Sequence, residues 1–348
     1  MASNGKSSTF CGKPSAPPSR SRINTCPSHM SSTDLITLSA IRAAQERVAG
    51  VAVVTPLVSF ALPRSTAEIF LKNEGLQPTG SFKIRGAYNK IAQLSPGERS
   101  RGIIAYSSGN HAQAVAYAAR ALGVKAVVVM PSNASELKRQ ATAALGAELV
   151  TVGPSSLERK QKAEDLAAQF GYVIVPPYDD PDIIAGQGTC GLEIIDQLPD
   201  ADLVLVPVSG GGLLSGVAAA VKHSNPEARV IGVEPELAAD ARESFRAGKL
   251  VTWPAEMTTR TICDGLRTQS LGELNFLHIR AFVDDILTVT DDEVRDAMST
   301  LASAGITAEP SGAATTAAAL FHQTELLPYG KLVAVLSGSN VAAPPIER

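Results

Sequence analysis

Short runs of β-branched and aliphatic residues alternate with alanine-rich stretches of helical period, and this alternation constrains the fold more than any other feature of the chain. Gly102–Tyr106 is followed by Ala112–Leu122, Lys125–Met130 by Ala134–Leu145, and Leu203–Val208 by Leu213–Lys222; further apolar runs lie at Val230–Val233 and Leu332–Leu336. Strands that are apolar throughout and separated by helices must be buried on both faces, which parallel sheets covered by helices achieve. The expected class is α/β on open parallel sheets, with no solenoid-like repeat. At roughly 150 residues per domain, 348 residues correspond to about two domains.

Composition narrows the possible partners. Thirty-one Lys and Arg against 34 Asp and Glu leave a net charge of −3. Nothing in that balance draws the chain to nucleic acid or an anionic membrane, so small neutral or zwitterionic partners are expected. No apolar run reaches the roughly twenty residues that cross a bilayer, and the N-terminus lacks the apolar core of a secretory signal. Cys11, Cys26, Cys190 and Cys263 form no C-x-x-C pair; free thiols in a reducing, cytoplasmic setting are the expectation. Residues 1–33 are crowded with Ser, Thr, Pro and Gly and carry Lys6, Lys13, Arg20 and Arg22 with no acid before Asp34. Such a segment is expected to be a disordered extension. An organelle transit peptide shares that composition, although the basic residues do not line one face of a helix.

In open α/β sheets ligands sit beyond the carboxyl ends of the strands, so the loops there carry the chemistry. In Thr79–Asn89, Ser81 is the expected N-cap and Ile84, Tyr88 and Ile91 form one apolar face. Lys83 then falls in the first helical turn, where the positive end of the helix dipole eases deprotonation of its amine. A neutral amine is what Schiff-base chemistry with a carbonyl cofactor requires. Ser107-Ser108-Gly109-Asn110-His111 follows the run Ile103–Tyr106 and opens a helix. Exposed amides there suit a carboxylate or phosphate, whereas His111 reads as a structural hydrogen bonder. Ser209-Gly210-Gly211-Gly212-Leu213 offers side-chain-free amides to a phosphate. With Gly216 it does not match G-x-G-x-x-G, which disfavours a dinucleotide. Ser337, in Leu336-Ser337-Gly338-Ser339-Asn340, adds a hydroxyl after the last apolar run. One ligand accounts for an amine, a phosphate loop and a hydroxyl for a ring nitrogen: pyridoxal phosphate.

The segments Ser81–Ala87, Ser107–His111, Gly186–Thr189, Ser209–Leu213 and Ser337–Val341 occur in register and resemble the serine racemase and serine/threonine dehydratase family of fold-type II pyridoxal-phosphate enzymes. The resemblance runs from about residue 34 to 345. It implies two open parallel-sheet α/β domains of the tryptophan synthase beta-like kind, the larger from 34–103 and 179–348 and the smaller from 104–178. It implies that Lys83 holds the cofactor and serves as base at Cα, Phe82 packs on the ring, Asn110 bonds the phenolic oxygen, and Ser209, Gly210, Gly211, Gly212 and Leu213 wrap the phosphate. Ser337 would face the pyridine nitrogen; a neutral hydroxyl leaves that nitrogen unprotonated and the ring a weaker electron sink, which suits elimination. Ser107, Ser108, Gly109, Asn110 and His111 would hold the substrate carboxylate.

Glu234, the Ala238 carbonyl and Asp240 match the positions that hold a divalent cation in serine racemase-like members, an oxygen set suited to magnesium or calcium, and also to manganese. Ser339 departs from the family's second glycine. With only residues 342–348 following this motif in the sequence, the regulatory domain of biosynthetic threonine dehydratases is not expected.

The activity the resemblance implies is β-elimination from 3-hydroxy amino acids, L-serine and L-threonine, giving a 2-oxo acid and ammonia. Ser108, across the cofactor plane from Lys83, would return a proton to the opposite face and so permit serine racemisation. Arg159 resembles an arginine that meets acidic substrates, which makes threo-3-hydroxyaspartate the alternative substrate. Cysteine and threonine synthases are disfavoured, because they place Asp where Ile84 stands. A nicotinamide-dependent oxidoreductase gives Lys83 no role, and a non-catalytic binding protein needs neither Lys83 nor Ser108. A homodimer is the expected assembly.

Overall fold

The computed structural model describes residues 1–2, 35–61, 67–107, 109–134, 136–153, 156–326 and 329–341. The expected N-terminal extension, Cys11 and Cys26 included, lies outside the described residues apart from its first two positions.

The apolar runs assemble into two sheets. The larger contains β1 (Leu57–Ser59), β2 (Glu68–Asn73), β7 (Leu203–Pro207), β8 (Arg229–Pro235), β9 (Asp285–Val289) and β10 (Lys331–Leu336), in the order β1-β2-β10-β7-β8-β9. The smaller contains β3 (Ile103–Tyr106), β4 (Ala126–Pro131), β5 (Glu148–Val152) and β6 (Val173–Ile174), in the order β5-β4-β3-β6. Every pairing is parallel except β1 on β2. The expected parallel sheets are present, with one antiparallel strand added at an edge. A neighbour joined by a short connection can pair antiparallel and tolerate water on one face, and Val58 is indeed exposed.

Side chains alternate across the central strands, as a period of two requires. Val204, Val206, Val333 and Val335 pack with Val217 and Val221 of the helix Gly212–Ser224. Leu203, Leu205, Leu332 and Leu336 pack on the other side with Ala313 and Ala317 of the helix Pro310–Phe321. From Leu35 onward the chain forms one compact unit. Among the described residues no helix is long and apolar enough to cross a membrane.

The helix Lys83–Ala92 places Ile84, Ala87 and Ile91 in one core with Ile103, Ala105, Val128 and Met130 of the smaller sheet. Its N-cap is Phe82, not the expected Ser81. Ser81 is fully buried with its hydroxyl unpartnered, and its backbone pairs with Gly338. The neighbouring Phe82 N–H donates to the Ser337 carbonyl at 3.2 Å, so a tertiary backbone pairing replaces the local cap.

Two further devices fix this helix. Arg85 donates to Glu74 at 2.7 Å and to Glu193 at 2.6 Å, while Lys72 donates to Glu193 at 2.6 Å, all four being buried. The Arg85 guanidinium holds the Glu74 carboxyl below its usual range despite burial. Against the helix Pro181–Gln197 the approach is so close that a side chain begun at Gly186 would stand 2.6 Å from the Arg85 carbonyl.

Candidate active site

Lys83 opens its helix, half-buried, and its Nζ donates to the main-chain carbonyl of Pro177 at 2.7 Å. Burial lowers the amine to about 8, so a substantial neutral fraction exists near physiological pH. Phe82 lies beside it, with the amine 5.0 Å from the ring centroid.

The Ser107–His111 loop follows β3 and opens the helix Asn110–Leu122, whose N-cap is Gly109, a residue with no side chain to cap the first turn. The uncapped amides retain the capacity to meet an anion. His111 is buried, with Nε2 2.9 Å from the Val175 carbonyl. Burial and the nearby Lys83 depress its ring to about 3, so it stays neutral and supports the loop. Asn110 donates to Glu309 at 2.6 Å and accepts from Asn340 at 2.9 Å. Asn340 also donates to the Thr79 carbonyl at 2.9 Å, which joins the loop to the segment before Lys83. Ser108 lies outside the described residues.

Ser337 is buried, and its hydroxyl has only a long 3.5 Å contact with the Ser311 carbonyl, leaving it able to meet another group. Ser339, the departure from the family pattern, keeps an ordinary negative φ and donates to the Gly75 carbonyl at 3.0 Å, so the replacement costs no backbone strain.

In the glycine loop Ser209 has φ +62°, the sole positive φ of a non-glycine among the described residues. Gly211, at φ +96°, caps the helix Gly212–Ser224 without a side-chain acceptor. Tyr178 explains its neighbours: a side chain begun at Gly210 would reach the tyrosine ring at 2.5 Å, and one at Gly212 would meet its Cβ at 2.9 Å. Leu213 follows, buried in the first turn of the helix.

The remaining expected residues lie apart from this cluster in sequence. Arg159 is half-buried in the helix Ser156–Phe170, and burial pulls its guanidinium below the usual value. Glu234 is the penultimate residue of β8, before Pro235; Ala238 and Asp240 follow in a short turn and the start of the helix Asp240–Ala247, all three buried. Among the described residues no group of three or more His, Cys, Asp or Glu side chains gathers as a metal cluster.

Sequence reasoning missed Glu309 and the segment Pro177–Asp180. Glu309 is buried at the start of the helix Pro310–Phe321 and bonded to Asn110. Burial, reinforced by Asp264, raises its carboxyl to about 7. An acid immediately before Pro310-Ser311-Gly312 and an alanine-rich run was the available signal. Pro177 and Tyr178 carried none beyond a turn-rich string of prolines and aspartates.

A buried, partly neutral amine, a side-chain-free loop at an uncapped helix and a buried hydroxyl fit a pyridoxal phosphate, and residues 49–338 match the family described as pyridoxal-phosphate dependent enzyme. The chain belongs to that family. It is 45% identical over 280 residues to the L-threo-3-hydroxyaspartate ammonia-lyase of Saccharomyces cerevisiae, covering 80% of this chain and 84% of the relative. With the catabolic L-threonine dehydratase TdcB of Escherichia coli it shares 40% identity over 302 residues, 86% of this chain and 91% of that one. The structure of maize serine racemase superposes with a TM-score of 0.84 at 38% identity, over 88% of this chain and 94% of that one.

Proposed function

We propose that this enzyme converts 3-hydroxy amino acids, L-serine and L-threonine, into 2-oxo acids and ammonia by β-elimination, with serine racemisation as a second activity. The observation that carries the reading is the Lys83 amine, lowered to about 8 by burial and bonded to a neutral carbonyl, in a chain 40% identical to a threonine dehydratase.

Pyridoxal phosphate, when bound, supplies an electron-withdrawing ring that acidifies the α-proton of an amino acid. Lys83 would hold the cofactor and take that proton, since its amine can be neutral before the step and charged after it. Ser209, Gly210, Gly211, Gly212 and Leu213 would bind the phosphate through main-chain N–H groups. Phe82 would pack on the ring, Asn110 would bond the phenolic oxygen, and Ser337 would face the ring nitrogen. Ser107, Gly109, Asn110 and His111 would orient the substrate carboxylate, and Ser108 would carry the proton on the opposite face.

The 45% identity to a hydroxyaspartate ammonia-lyase supports threo-3-hydroxyaspartate as the alternative substrate, with Arg159 as the cation the family resemblance offers it. Glu234, the Ala238 carbonyl and Asp240 would hold magnesium, calcium or manganese. Asp240 Oδ2 is buried without a partner, and burial with mutual repulsion raises the Glu234 carboxyl; a divalent cation would satisfy both. We further propose the division into 34–103 with 179–348 and 104–178, since β1, β2 and β7 to β10 fall in the first part and the smaller sheet, apart from Ile103, falls in the second. A cytoplasmic homodimer completes the reading; buried Cys190 and Cys263 are free thiols, and Val54, Val58 and Leu76 offer apolar surface.

The test is an assay of purified protein with L-serine, L-threonine and threo-3-hydroxyaspartate for keto acid and D-enantiomer, together with borohydride trapping of the cofactor. Keto acid and a label on Lys83 are expected. A label on another lysine, or no keto acid from any of the three, overturns the proposal.

A further inference from the structure

An ion pair spans the cluster described above from the smaller sheet to the larger. Lys138, in the helix Glu136–Ala144, donates to Asp264 at 2.5 Å, 126 residues away in the 3₁₀ turn Asp264–Leu266. Its amine borders the Ser107–His111 loop, because a side chain begun at Gly109 would meet it at 3.9 Å. Asp264 is tied to the other side: the adjacent Gly265 N–H donates to the Ser311 hydroxyl at 2.8 Å, and the Ser311 carbonyl faces the Ser337 hydroxyl at 3.5 Å. Both members influence the Glu309 carboxyl, which holds Asn110.

We infer that Lys138, oriented by Asp264, reads a second carboxylate on the substrate's side chain. The inference rests on the hydroxy-amino-acid reading above, in which the Ser107–His111 loop holds the substrate's α-carboxylate. Among the described residues beside that loop, Lys83 is committed to the α-carbon and His111 carries no charge. Lys138 is the ammonium whose position at the loop is fixed by a direct partner. An ammonium has three N–H donors, so it can keep Asp264 and still donate to an incoming carboxylate. The pair is partly exposed, 27% for Lys138 and 44% for Asp264, so sharing the lysine costs little. Serine and threonine present no charge to this ammonium, whereas a β-carboxylate does. Asp264 opposes the same carboxylate by like charge, so the two residues set selectivity in opposite directions.

The experiment measures kcat/KM of the holoenzyme for threo-3-hydroxyaspartate and for L-serine and compares their ratio between variants. Lys138→Met should lower the hydroxyaspartate-to-serine ratio at least fivefold, Lys138→Gln should do the same, and Lys138→Arg should keep it within twofold. Asp264→Asn should raise the ratio. Binding of succinate, read from the cofactor's visible band, should weaken at least fivefold in Lys138→Met. A smaller fall in either quantity overturns the inference. So does a fall in Asp264→Asn, which would make the pair a clasp between the two sheets, or a fall confined to Arg159→Met, which would assign the carboxylate to that arginine. If the unaltered enzyme forms keto acid from neither substrate, the proposed function fails, and succinate binding still decides the role of Lys138.

Discussion

The Lys83 amine and the Pro177 carbonyl meet at 2.7 Å across 94 residues of chain. A carbonyl steadies an ammonium less than a carboxylate does, so burial prevails and the amine falls to about 8. In cofactor-free protein, reductive methylation of Lys83 should therefore reach half its maximal rate near pH 8, against roughly 10.4 for surface lysines. The sign for stability follows. The folded state disfavours the charged amine, so this group's penalty is full below pH 8 and relaxes as pH rises toward 10.5. A methylation midpoint equal to that of the surface lysines would show that burial does not govern this amine.

Pro177 leads into Tyr178, whose ring closes on the glycine loop, and Asp179, which accepts from the N–H groups of Glu273 and Leu274. Gly210→Ala puts a methyl group within 2.5 Å of the ring. Cofactor affinity should drop about tenfold, roughly 1.4 kcal/mol. The double variant with Tyr178→Ala should recover part of the loss, because the two sites share one contact. Additive losses in an absorbance titration would mean that Gly210 is required for its amide alone.

The buried charges around Arg85 are matched, two cations to two carboxylates. Glu193→Gln leaves Lys72 with neutral acceptors only, the Thr55 carbonyl among them, and Arg85 with Glu74 as its one carboxylate partner. The expected loss is about 3–5 kcal/mol in urea unfolding. A loss below about 1 kcal/mol would show that water reaches the cluster.

Burial raises Asp240 to about 7 from 3.8. In cation-free protein stability should fall, on this group's account, as pH rises through that interval, because the folded state binds the proton more tightly than the unfolded chain does. Magnesium or calcium should raise the melting temperature by several degrees at pH 8, by less below pH 7 where protons compete, and not at all in Asp240→Asn. A flat titration at pH 8 removes the cation site.

Ser108→Ala should suppress D-serine formation by at least tenfold more than keto-acid formation, since racemisation needs proton transfer on both faces of Cα and elimination does not. Equal losses of both products would assign Ser108 to substrate or cofactor binding.

Local pattern made the scaffold legible. Apolar runs such as Leu203–Pro207 can be buried only between two covering layers, and small residues such as those of Gly210–Gly212 mark where a backbone must come close to something else. Lys83 in a first helical turn, the loop opening the Asn110 helix and Ser337 after the last strand were all readable, because strand ends and helix starts are set by neighbours in the chain. Contacts between distant segments were not. Ser81 has the composition of a cap, yet its pairing with Gly338 buries it and passes the cap to Phe82. Glu309 reads as an ordinary acid before a helix until Asn110 arrives from 199 residues away and burial lifts its carboxyl to about 7. Sequence alone determined which residue types stand at the strand ends. Tertiary structure alone decided which are desolvated and which meet, because the dielectric around a side chain and the identity of its partner belong to the packed molecule.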